Sequence, residues 1–185
     1  MTNYQIHTTD TAPEGTEQAL AGLAGAFGFV PNIAGVMANS RPLLGAFFSS
    51  FGHFRGAGTF TPAERQVLLL TNAVTNNSAW AVAFHSVEAV ADGVPEPEVT
   101  AIRRRELPAD PQLAALSEVA RALIEKRGHL DETDVKAFGA AGFTDDQLLE
   151  VITATAISTM TNYAGNVARP PLEAPLQAQA WDEAY

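Results

Sequence analysis

The residues whose types and spacing suit chemistry converge on one short stretch. Ser78-Ala79-Trp80-Ala81-Val82-Ala83-Phe84-His85 reads as the opening of a helix that carries an imidazole. Histidine titrates near neutral pH and suits general acid or base work. Residues three, four and seven apart share a helix face, so Ser78, Ala81 and His85 are expected to line one stripe. The segment before it, Thr61 to Thr71, brings two polar side chains that can serve the same site, Glu64 and Gln66. Two residues along a helix is a rotation of about 200°, so these two point to opposite sides and cannot substitute for each other. Glu64 also follows Thr61 by three residues, the spacing of a capping box. Cap and catalytic carboxylate are both open to it, and Gln66 is a candidate hydrogen-bonding group beside His85.

Other chemistry finds less support. Ser78 as a nucleophile with His85 as its base fails on distance, because two helical turns separate them by roughly 10 Å. No nucleophile elbow surrounds it either, so a helix cap or pocket hydroxyl is the expected role. Trp80 and Phe84, with Phe51, Phe54 and His53, form either an apolar pocket or ordinary core packing. The four histidines, His7, His53, His85 and His129, are scattered without metal-ligand spacing, and no glycine-rich phosphate loop is present. Neither metal nor cofactor is expected. The chain has no cysteine, which removes disulfides, thiolate metal sites and any thiol nucleophile.

The elements that must position these residues are helical. Apolar residues recur at helical spacing and nowhere alternate as in a strand. Helices are expected over 13–27, 31–37, from Ser40 as N-cap to a break at Gly56-Ala57-Gly58, from Thr61 through 71, and over 78–91. Further ones follow over 95–106, 112–126, from Asp131 to Gly139, and from Thr144 as N-cap through Met160. The helix after Thr61 is apolar on nearly all sides and should be central. The segment from Pro170 to Tyr185, with three prolines, reads as an irregular tail that wraps a neighbour. The fold class is all-α, a single-domain multi-helix bundle of eight or nine helices over residues 1–185, built on a core helical hairpin.

With 185 residues the chain can bury one real core. Its charged fraction is only 17% against 46% apolar, a balance that often hides apolar surface in an oligomer. A net charge of −10 argues against nucleic acid, and the basic run Arg103-Arg104-Arg105 is short and reads as a solvated helix face. No membrane span and no signal peptide are visible, so the expected location is cytoplasmic.

Together these passages resemble the alkyl hydroperoxidase D-like and carboxymuconolactone decarboxylase families, in the peroxidase-related branch. The core motif there runs roughly E…N-x-C-x-x-C-x-x-x-H. Asn76-Asn77-Ser78-Ala79-Trp80-Ala81 to His85 matches it with Ser78 and Ala81 at the two cysteine positions. Phe27-Gly28-Phe29-Val30-Pro31-Asn32, Arg41-Pro42-Leu43-Leu44 and Thr161-Asn162-Tyr163 with Asn166 and Pro171-Leu172 are similar to further passages of that branch. The resemblance implies an all-helical subunit that assembles as a dimer, trimer or hexamer. It also implies that the relay glutamate of the peroxidases falls at Gln66, and that a catalytic role for His85, with Glu64 as the nearby carboxylate, survives.

Thiol peroxidase chemistry needs a thiolate to attack and a second thiol to resolve the sulfenic acid, and neither Ser78 nor Ala81 does either. What the resemblance leaves is a cofactor-independent lyase, isomerase or hydrolase-like enzyme with His85 as acid or base. The alternative is a catalytically silent oligomeric relative that binds a small apolar ligand or acts as scaffold. A peroxidase using some route other than a thiol stands last.

Overall fold

Hydroxyl, carboxylate and proline residues mark most helix starts. Ser40, Thr61, Asp110, Asp131 and Thr144 each accept a backbone N–H of the turn they open. Such a cap is worth about 1 kcal/mol. In the computed structural model, which describes residues 4–182, they delimit nine α-helices and no strand among the described residues. These are α1 (Glu17–Phe27), α2 (Asn32–Met37), α3 (Arg41–Ala57), α4 (Pro62–Thr75), α5 (Ala79–Ala91), α6 (Glu96–Arg103), α7 (Pro111–Glu125), α8 (Glu132–Ala140) and α9 (Asp145–Ala168). Short 3-10 turns cover Thr9–Thr11 and Ala174–Gln179. None of the helices is long and apolar enough to cross a membrane among the described residues.

The centre is α4. Val67, Leu68, Leu69, Leu70, Ala73 and Val74 are all buried, so no face of the helix is left to solvent from its second turn on. It packs against α5 and α9 on one side and α6 and α7 on the other. Taking each large aliphatic side chain out of water stabilises the fold by about 1.5–3 kcal/mol. Where the N-terminal segment crosses α2, Gly35 is required: a Cβ there would stand 2.5 Å from the His7 carbonyl oxygen. The His7 N–H in turn donates to the Gly35 carbonyl at 3.2 Å.

Four expectations are corrected or sharpened. The first helix starts at Glu17, after Thr16, not at Pro13. The break expected at Gly56-Ala57-Gly58 falls at its last residue, since α3 continues to Ala57 and stops at Gly58. There Phe54 O would lie 2.4 Å from an added Cβ. The Arg103-Arg104-Arg105 run is exposed at Arg104 and Arg105, as expected of a solvated stretch, but it sits at the end of α6 and also supplies donors to nearby oxygens. Arg103 donates to Ser86 Oγ and to the Gln179 and Ala180 carbonyls. Arg105, at a left-handed φ of 63°, donates to Val74 O and Asn77 Oδ1 and lies over the Trp181 ring. Finally, the tail wraps its own chain: Leu176 and Trp181 are buried, and the Ala174–Gln179 turn lies on α5. Its last residues, Glu183 to Tyr185, lie outside the described residues.

Candidate functional site

Two helices build the site from opposite sides. The capping box at Thr61 fixes the start of α4, with Glu64 accepting from Thr61 N at 2.7 Å and from Thr61 Oγ1 at 2.8 Å. That places Glu64 in the cap and not among the residues that line the cavity. Gln66, two residues on and pointing the other way, does line it. Its Oε1 lies 3.1 Å from His85 Nδ1, and its Nε2 donates to Asp92 Oδ2 at 2.9 Å.

This chain of bonds settles the protonation pattern. The Asp92 carboxylate can only accept, so the Gln66 amide must turn its NH2 toward Asp92. Its carbonyl oxygen then faces His85, and Nδ1 must carry the proton. Nε2 is left with its lone pair and without a hydrogen-bond partner among the described residues. Burial pushes the His85 pKa down from 6.5 to about 4, because a charged imidazolium in this apolar wall loses its hydration. The ring is half-buried and lines the cavity.

The cavity, about 110 Å³, lies between α1, α2, α3, α4, α5 and α9. Its walls are aromatic. Trp80 and Phe84 stack at 5.1 Å, Phe27 meets Phe84 edge-on at 5.4 Å, and Phe47 and Phe51 stack at 5.4 Å. Arg55 lies over the Phe51 ring at 5.7 Å and lines the cavity together with Arg65, Glu88 and Asp92. The Arg65 guanidinium is tied to Phe60 O at 2.7 Å. Glu88, on the same helix as His85, has its pKa raised by burial and by the Asp92 charge, against a smaller pull downward from Arg55. Its carboxyl has no hydrogen-bond partner among the described residues.

Of the residues singled out from sequence, His85, Gln66, Ala81 and Trp80 are brought together around this cavity. Ser78 is not. It stands at the N-cap of α5 with extended backbone, φ −98° and ψ 91°, so helical spacing does not govern its side chain. Its Oγ instead donates to Asn162 O across the α5–α9 contact at 3.4 Å, and it is buried. His53 is exposed and outside the cavity. Asp92, Glu88 and Glu173 were missed. Asp92 reads in sequence only as a helix end, and Glu88 as one more charge on a helix, although His85, Glu88 and Asp92 stand at spacings that share a face. Glu173 accepts from the Trp80 indole at 3.0 Å and from the Asn32 backbone N–H, so the tail holds one wall of the cavity.

Neither a protein-family profile nor any curated protein matches the chain. Solved structures do. An uncharacterised peroxidase-related protein from Ralstonia eutropha JMP134, described as an alkylhydroperoxidase AhpD core, superposes with a TM-score of 0.82 at 18% identity, covering 94% of this chain and 93% of that one. A cysteine-to-alanine form of the debrominase Bmp8, solved with 2,3,4-tribromopyrrole, superposes with a TM-score of 0.79 at 18% identity, over 100% and 98% of the two chains. An uncharacterised peroxidase-related protein from Silicibacter sp. TM1040 gives 0.76 at 18% identity, over 95% and 97%. At such identities the likeness speaks of architecture. The chain has the all-helical fold of the alkylhydroperoxidase AhpD core, carried by a sequence with no cysteine in it.

Proposed function

We propose that the cavity is a proton-transfer site in which His85 Nε2 acts as base on a small, largely apolar, ring-sized molecule, as in a cofactor-independent lyase or isomerase. The observation that carries this reading is the Asp92–Gln66–His85 chain of hydrogen bonds. It supports one neutral tautomer of the imidazole, with Nε2 left without a hydrogen-bond partner among the described residues, on the wall of a largely apolar cavity. A histidine neutral down to about pH 4 is in its base form near pH 7, a weak base by that measure, and holds no extra proton to give there. That favours abstraction over acid catalysis at this residue. The imidazolium formed during the step keeps its Nδ1–H on the Gln66 carbonyl, with the Asp92 charge one bond beyond.

Size supports the substrate class. An apolar cavity of about 150 Å³ holds benzene, and this one, at about 110 Å³, suits a single small ring. The debrominase Bmp8 was solved with a five-membered aromatic ring of that kind. Thiol-dependent peroxide reduction has no residue here to perform it. We also propose that the chain works as a homo-oligomer, for which the exposed side of α9 is the supporting surface.

A nitrobenzisoxazole tests the catalytic reading, because its ring opening needs a base and nothing else. The expected result is turnover above buffer, on a plateau from pH 5 upward, that falls by about 10²-fold or more in His85→Ala, the usual weight of one acid–base group. A wild-type rate equal to buffer, or a variant rate equal to wild type, contradicts it. The second reading, a silent binder of a hydrophobic ligand, is favoured by the aromatic walls alone and predicts that His85 is dispensable.

A further inference from the structure

We infer that Glu88 is a second proton-transfer group of this cavity, beside His85 on the same helix face, so that the pair can move a proton from one atom of a bound ring to another. The inference rests on the base role of His85 and extends it to a reaction class, the allylic isomerisation of a small cyclic carbonyl compound.

Geometry carries it. Glu88 follows His85 by three residues on α5, a spacing that brings side chains to one face with Cβ atoms about 5–6 Å apart. Both line the same cavity. A substrate ring lying across the two side chains can meet Nε2 at one atom and the Glu88 carboxyl at another. The charged groups acting on Glu88 are Asp92, which caps the end of α5, and Arg55 from α3, and Arg65 from α4 lines the same cavity. Asp92 and burial favour the protonated carboxyl, and Arg55 opposes them by less. His85 is spoken for at Nδ1 by Gln66, and Asp92 by the Gln66 amide. Arg65 is spoken for by Phe60 O. Of the two carboxyl groups lining the cavity, Glu88 is the one whose side chain makes no hydrogen bond among the described residues.

The step balances without any further reactant. His85 Nε2 takes a proton from the carbon between the carbonyl and the double bond, and that C–H bond breaks. Its electron pair moves into a dienolate. The far carbon of the dienolate then takes the Glu88 proton, a new C–H bond forms, and the double bond ends in conjugation with the carbonyl. The imidazolium returns its proton to the Glu88 carboxylate, directly or through water at the cavity mouth, and the enzyme is unchanged.

The test compares two probes on the same proteins. An unconjugated cyclohexenone needs a proton removed and a proton delivered, and its conversion to the conjugated isomer is followed by absorbance. The nitrobenzisoxazole needs removal alone. Wild type is expected to turn over both, and His85→Ala to lose both. In Glu88→Gln, which keeps the side-chain shape, the ratio of isomerisation to elimination is expected to fall by about 10²-fold, the usual weight of one acid group. An unchanged ratio in Glu88→Gln overturns the role of Glu88, and so does a wild type that eliminates without isomerising. Elimination that persists in His85→Ala overturns the base reading itself, a separate outcome. Elimination in Glu88→Gln that still depends on His85 certifies that the variant is folded.

Discussion

His85 ties the proposed chemistry to the stability of the fold. Below pH 6.5 the unfolded chain takes up a proton at this imidazole, while the folded chain refuses it until about pH 4. The unfolded state then binds more protons, so stability falls as pH falls through that window and is unaffected above it. The gap corresponds to roughly 3 kcal/mol at 1.36 kcal/mol per pKa unit. Replacing His85 by Gln removes the titrating group. The unfolding free energy of wild type minus that of His85→Gln, measured in urea, should drop by about 3 kcal/mol between pH 7 and pH 4. Parallel curves would mean that the ring is as well hydrated as in a free peptide. At this scale the sequence was informative where helical rotation decides. Glu64 and Gln66 had to oppose each other, and they do, one in the cap and one on the imidazole. Asp92 was not legible, because its partner Gln66 is 26 residues away and only the packing of α4 on α5 brings them together.

At the scale of the helix, hydroxyl caps made most boundaries readable. Thr61, Thr144 and Ser40 cap the helices expected of them. The failures have local causes. Ser78 left the stripe because an N-cap residue does not have helical dihedrals. The arginine run is more than a solvated surface because the Val74 and Ala180 carbonyls accept from Arg105 and Arg103, although Arg104 and Arg105 stay exposed. The cap role of Glu64 makes a prediction that belongs here. Thr61→Ala should cost about 1 kcal/mol in urea unfolding, the usual worth of a cap. Glu64→Ala should cost about 0.5–1 kcal/mol and leave nitrobenzisoxazole turnover within twofold of wild type, counted per folded molecule. A loss of turnover with unchanged stability would return Glu64 to the site.

At the scale of the whole molecule, the all-α architecture followed from periodicity, but the cavity did not. Its walls come from α1, α3 and α5, and no spacing within one helix announces that Phe27, Phe51 and Phe84 meet around an imidazole. The low charge content does find a counterpart. Leu149, Ile152, Tyr163 and Val167 along α9 are 64%, 49%, 54% and 61% exposed, and they recur at spacings that keep to one side of the helix. In the homo-oligomer we propose, a second copy covers this stripe. The 19.6 kDa chain should then sediment at a multiple of its mass, and Ile152→Glu with Tyr163→Glu should shift it toward the single-chain value. A wild type that sediments as one chain at micromolar concentration would refute the oligomer while leaving the cavity untouched.

The cavity depends on one statement above all, that His85 is neutral, protonated at Nδ1 and bare at Nε2. Nitrogen-15 NMR of the imidazole through a pH titration reads all three directly. The account predicts a single Nδ1–H tautomer that persists from pH 8 down to about pH 4 before the ring charges. A ring that titrates near 6.5, or that carries its proton on Nε2 at neutral pH, would contradict it.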